Sequence, residues 1–176
     1  MKTLHWALAG AWAAAALSLP AAAKDGATLY EDRTHGFSTM IPDGWSNPAG
    51  GLVTSSADGS VRCSITAMPV KQTAGMTQDE VNAAMGVYTS DIWKTQFFTG
   101  GATGEITDSG ITKLEQYDAP WARGTIIYPG TAFAKFGVLM VQAPGKLATV
   151  TCTGEPTSYD TNLRGLTTVL NYLRPL

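Results

Sequence analysis

Few side chains in this 176-residue chain stand where they could do chemistry. A Ser-His-Asp triad needs a histidine as its general base. Only His5 and His35 exist, and His5 lies in an N-terminal apolar run. His35 sits in Arg33-Thr34-His35-Gly36-Phe37, just before a strand-like segment, and no G-x-S-x-G elbow accompanies it. It reads as a residue of an exposed turn. Zinc wants three or four His, Cys or carboxylate ligands, which one histidine and two cysteines expected to be bridged do not supply. No D-x-D-x-D run marks a calcium loop. Gly100-Gly101-Ala102-Thr103-Gly104 lacks the Lys-Ser/Thr end of a phosphate loop and precedes a strand, so it reads as a flexible loop. Glu105, Asp108, Glu115 and Asp118 fall on strand ends, where solvation explains them. No two of them stand out as a glycosidase-like pair, so a carboxylate-based hydrolase is the least favoured function. No catalysis, cofactor or metal is expected.

The aromatic residues form a second set. Trp93 lies one step off the apolar stripe of a predicted helix, with Phe97 and Phe98 after it, and Trp121 follows Pro120 at a strand start. If exposed, Trp93, Phe97, Phe98 and Trp121 make a partner contact, since Trp and other aromatics dominate such sites. The alternative is that they, and Trp45, are core residues.

Compartment is read from the N-terminus. Lys2 precedes an uncharged apolar run that Pro20 breaks, and Ala21-Ala22-Ala23 offers small residues to a signal peptidase. That order predicts a cleaved secretory signal over residues 1–23 and a single domain over 24–176. With no Cys near the site, a bacterial lipoprotein anchor is excluded. The expected location is periplasmic or secreted. The mature part carries 11 basic against 14 acidic side chains. This weak, dispersed acidity argues against a nucleic-acid partner and gives no electrostatic reason to sit on an anionic membrane.

Both cysteines fall in alternating runs. Cys63 is in phase with Val61, Ile65 and Ala67; Cys152 is in phase with Ala148 and Val150. Each thiol therefore points to the apolar face of a strand. An oxidising compartment predicts a Cys63–Cys152 disulfide, with two separate buried thiols as the alternative. Bridged, they would close a loop of about 90 residues, worth about 4–5 kcal/mol in the chain-entropy model.

The elements that must position these groups are mostly strands. Strands are predicted over 28–32 and 36–41, ended by the Pro42-Asp43-Gly44 turn. A hairpin pairs 52–55 with 60–70 around Ala57-Asp58-Gly59. Thr77 and Glu80 form a capping box for one helix with the stripe Val81, Met85, Tyr88 and Ile92, stopped at Gly100-Gly101. Strands follow over 105–108, 111–117, 122–128, 132–143 and 147–153, separated by short turns that imply an antiparallel meander. A last helix begins near Ser158, with the stripe Tyr159, Leu163, Leu166, Leu170 and Leu173, and Pro175 ends it. The fold class is α+β: an antiparallel sheet flanked by at least two helices.

The segment from Gly36 to Trp45, Gly-Phe-Ser-Thr-Met-Ile-Pro-Asp-Gly-Trp, resembles the opening strand of the Mog1/PsbP-like superfamily, in which an aromatic-Ser strand runs into Pro-x-Gly-Trp. The order hairpin, helix, meander and C-terminal helix is similar too. The resemblance implies an α/β/α sandwich and a protein that acts by binding other proteins, with no site residue carried over. The expected function is an exported binding or assembly-accessory protein whose partner is another envelope or secreted protein. The alternative is a carrier with a pocket for a small apolar molecule or lipid between sheet and helices. No stable membrane insertion is expected once the signal is cleaved.

Overall fold

The computed structural model describes residues 26–55 and 59–176. The segment read as an export signal and the Ala57-Asp58 part of the hairpin turn lie outside the described residues. Strands β1 (Ala27–Asp32) and β2 (Phe37–Pro42) form a hairpin. The predicted Pro-Gly turn ends β2: Trp45 N–H donates to the Pro42 carbonyl at 3.0 Å, and Gly44 takes φ +78°, a conformation that favours glycine.

The larger sheet has seven strands. They are β3 (Ser46–Ala49), β4 (Leu52–Thr54), β5 (Val61–Pro69), β6 (Thr103–Leu114), β7 (Tyr117–Ile127), β8 (Ala134–Ala143) and β9 (Lys146–Gly154). Their order is β3-β4-β5-β9-β8-β7-β6, and every pairing is antiparallel. The last four form an antiparallel meander, as the short turns imply, but of four strands rather than the five expected. A short β10 (Arg174–Pro175) joins the opening hairpin in a second, three-stranded sheet.

Strand β8 runs through the middle of the layers and is buried over most of its length. Its side chains alternate between two cores. Phe136, Val138 and Met140 meet Met85 and Trp93 on one face, under α1 (Gln78–Met85) and α2 (Ser90–Phe97). Leu139 and Val141 meet Tyr159, Leu166 and Val169 on the other, under α3 (Pro156–Thr161) and α4 (Leu163–Asn171). Residues of the small sheet, Phe37 and Tyr30 among them, join this second core, and Thr39 Oγ1 donates to the Val169 carbonyl at 2.8 Å. The molecule is a helix–sheet–helix sandwich.

Several boundaries differ from the sequence expectation. The single helix after Thr77 is two helices. The capping box is present, but the first helix stops at Gly86, and Thr89 is extended at φ −106°, ψ 170°. Val87, Tyr88 and Thr89 between them are β-branched or aromatic and continue a helix poorly. The break resets the phase, so Trp93 rather than Ile92 turns inward. The C-terminal helix likewise breaks at Asn162. Asp108-Ser109-Gly110 and Asp118-Ala119-Pro120 are not turns but lie inside β6 and β7, with a register shift between Ile106 and Asp108. The turn falls instead at Glu115-Gln116, with Glu115 at φ +58°. Pro120 is tolerated because β7 pairs with β8 only from Trp121 onward. The four-residue β3, which contains Pro48, carries no strand signal and was not anticipated.

Candidate functional site

Strands β6 to β8 leave part of their face uncovered beside α3 and α4. Two neighbouring cavities of about 300 and 360 Å³ lie there and share Arg123, Tyr159 and Leu163. Strand alternation builds the floor: Trp121 and Arg123 are two apart on β7 and so point to the same face. Trp121 lies against the bare backbone of Gly110, its cross-strand partner; a Cβ there would meet the indole at 3.4 Å. The Arg123 guanidinium stands 5.9 Å from the Trp121 ring centroid, close enough for cation–π attraction. It also donates to Asp108 at 2.7 Å.

The wall comes from α3 and α4. Tyr159 on α3 is buried, and its hydroxyl reaches the sheet where Gly137 offers no side chain. A Cβ on Gly137 would come within 2.5 Å of that oxygen. Burial pushes the Tyr159 phenol up to about 12, with nearby Arg123 working in the opposite direction. The phenol is therefore neutral at any physiological pH and able to donate. Leu163, expected on the inward stripe, is instead 49% exposed at the groove edge. The break at Asn162 separates it from the phase of α3. At the rim Lys135 holds both oxygens of Asp160, at 2.8 and 2.7 Å. The groove thus offers an aromatic plane, a guanidinium and a neutral phenol on an apolar base, with two cations balanced by two carboxylates.

The structure separates the four aromatic residues that the sequence grouped. Trp93 is 1% exposed and packs with Tyr88 and Phe97, at ring distances of 5.2 and 6.0 Å. Phe97 stacks on Phe136 at 4.6 Å, and Phe98 is half-buried on the same core. Trp93 is therefore a core residue and presents no contact surface, because the reset helix phase turns it inward. Trp121 is on the opposite face of the sheet, half-buried in the groove. Trp45 packs on the second core and against α4, where Gly165 makes room for its ring.

The Cys63 and Cys152 sulfurs are bonded at 2.08 Å, on residues directly opposite in the β5–β9 ladder. The carboxylates disperse. Asp108 pairs with Arg123, Glu115 with Arg174 at 3.1 Å and Asp118 with Lys113 at 3.4 Å. Of the four, only Asp108 lines the groove. Among the described residues no three His, Cys, Asp or Glu side chains group as a metal site. His35 does sit in a turn, but it has a partner that was not foreseen. Its Nδ1 lies 2.7 Å from Asp32 Oδ2, and its backbone N–H donates to Oδ1 at 2.9 Å. The i, i+3 spacing of an Asp-initiated turn was the available signal. Arg123 and Tyr159 were also missed as site residues, although the phase of Arg123 with Trp121 along β7 was legible.

No protein-family model matches the chain, and no curated protein matches it in sequence. Solved structures do match. Cyanobacterial PsbP (CyanoP) from Synechocystis sp. PCC 6803 superposes with a TM-score of 0.57 at 13% identity, over 90% of this chain and 98% of its own. The chain has a Mog1/PsbP-like fold. LpqN, involved in cell envelope biogenesis of Mycobacterium tuberculosis, gives a TM-score of 0.57 at 11% identity, over 84% and 88% of the two chains. The Ran-binding protein Mog1p of Saccharomyces cerevisiae gives 0.50 at 8% identity, over 85% and 95%. At such identities the likeness speaks for the Mog1/PsbP-like fold and not for a shared site. It agrees with the resemblance read from the Gly36–Trp45 strand.

Proposed function

We propose that this chain is an exported binding or assembly-accessory protein without catalysis of its own, and that it holds its partner in the groove beside α3 and α4. The observation that carries this reading is the convergence of Trp121, Arg123 and Tyr159 on one uncovered stretch of sheet. Aromatic and arginine side chains in a half-desolvated concavity are the composition of protein contact sites. The disulfide supports an extracytoplasmic location, where such bonds persist, and the predicted signal over residues 1–23 accords with it. Among proteins with this fold, Mog1p is Ran-binding, which is precedent for a role in binding. The partner proposed here is another envelope or secreted protein.

A second reading is a carrier for a small apolar molecule, and the cavity of about 300 Å³ between sheet and helices is what favours it. That volume is at the low end for small-molecule sites. Cross-linking the tagged protein in its native envelope, followed by quantitative mass spectrometry, tests both. Recovery of one enriched envelope protein, lost on Trp121→Ala with Arg123→Gln, is the expected result. An empty recovery from folded, abundant bait, with an adduct in native mass spectrometry, would overturn the protein partner in favour of the carrier.

A further inference from the structure

At the end of the sheet remote from the Glu115-Gln116 turn, the β7–β8 hairpin runs past its last cross-strand pair, Ile126 with Ala134. Its tip, residues 127–133, is exposed throughout. Ile127, Tyr128 and Phe133 are 41%, 48% and 45% exposed. Every residue from Gly124 to Ala134 is uncharged. The segment beside the tip, from residue 95 in α2 to residue 104 in β6, is uncharged as well. It braces the tip: a Cβ on Gly101 would touch Pro129 at 3.2 Å.

The turn closes through Thr131. Tyr128 N–H donates to Thr131 Oγ1 at 3.2 Å, and the Tyr128 carbonyl accepts from Thr131 N–H and Oγ1, each at 3.0 Å. Pro129 has no N–H to satisfy, and Gly130 takes φ +76°, as the third position of a Pro-Gly turn requires.

We propose that this tip is a lipid-contacting element that dips Ile127, Tyr128 and Phe133 into the headgroup–acyl boundary of a bilayer. A stable protein interface takes roughly 20–30 residues a side, far more than a convex seven-residue tip presents. A bilayer demands no complementary shape, and aromatic side chains such as Tyr settle at its interface. The nearest charges along the tip's own strands, Arg123 and Lys135, are both basic, but each is neutralised by an ion pair, with Asp108 and Asp160 respectively. Apolar partition therefore drives the contact, and zwitterionic lipid suffices. Three side chains give weak, reversible attachment, which lets a bound partner be held near a membrane without an anchor.

Flotation of the full protein with phosphatidylcholine vesicles, and with vesicles containing phosphatidylglycerol, tests this. The protein should float with both at millimolar lipid, and added salt should change little. Tyr128→Ser with Phe133→Ser should cut the bound fraction about tenfold or more, while Tyr128→Trp retains it. Both sites are exposed, so circular dichroism and melting should not change. Trp121→Ala, in the groove, should float like the unaltered chain, which separates this claim from the proposed function. The proposal is overturned if the unaltered chain does not float. It is equally overturned if only anionic vesicles bind and salt releases them, or if the double variant floats as well as its parent. Concentration-dependent dimerisation abolished by the same double variant, without flotation, would make the tip a self-association face and overturn it too.

Discussion

The side chain of Asp32 is buried yet ionised, and its surroundings account for it. The backbone N–H of His35 is the main influence holding its carboxyl below the usual range, and the His35 ring and Tyr30 hydroxyl add to this. A carboxyl whose folded value is depressed contributes stability above its unfolded value, near 4, and that contribution is lost as pH falls through the folded value. Glu80 and Glu115 are shifted the same way, by Thr77 and Arg174 respectively. Melting temperature should therefore fall on acidification below about pH 4. Asp32→Asn should lower it at pH 7 and flatten part of that acid limb. An unchanged limb would mean that the Asp32–His35 contact carries no stability. His35 was legible as a turn residue; its partner Asp32 had the i, i+3 spacing of an Asp-initiated turn as a signal, but that spacing is common and does not by itself show that the carboxylate is engaged.

Among the elements, the β8–α3 contact depends on a missing side chain. Gly137 sits under the Tyr159 hydroxyl, so Gly137→Ala forces a buried, rigid ring to move. Overpacking of this kind costs about 1–3 kcal/mol. Tyr159→Phe removes the obstructing oxygen, so Gly137→Ala should cost less in that background. Denaturant unfolding of the four proteins in the cycle measures the coupling. Additive effects would show that the two residues do not touch in solution. Most of the strands, the meander and the capping box at Thr77 were readable, since alternation and turn residues are local signals; β3, with no such signal, was not. The helix break at Gly86 to Thr89 and the strand passing through Asp108-Ser109-Gly110 were not. In the first, the apolar stripe masked a weak helical stretch at Val87-Tyr88-Thr89 whose break buries Trp93; in the second, tertiary packing overrides the turn signal and seats Trp121 over Gly110. The groove was half legible for the same reason. Trp121 stood out by type, whereas Arg123 and Tyr159 become site residues only when β7 and α3 meet.

For the molecule as a whole, the Cys63–Cys152 bond joins β5 to β9, which are 89 residues apart in sequence but neighbours in the sheet. Both residues are fully buried, so exchange with a reductant requires opening of the fold. Replacing both with Ala should lower unfolding free energy by about 2–5 kcal/mol and leave the native circular dichroism spectrum unchanged. A loss under 1 kcal/mol would mean that the unfolded chain is already held by other residual contacts. The same sheet carries the groove on one face and the apolar tip at one end, so the proposed partner contact and the proposed lipid contact have separate addresses on one frame.

The central claim is that the groove beside α3 and α4 is where a partner binds. The most direct measurement places a photo-reactive amino acid at Leu163, which borders both cavities. A second is placed at Val87, 62% exposed in the α1–α2 connection, which lines neither cavity. Irradiation in the native envelope should link the Leu163 probe to one protein and the Val87 probe to none. Equal products from the two positions, or a partner captured only from Val87, would contradict the account.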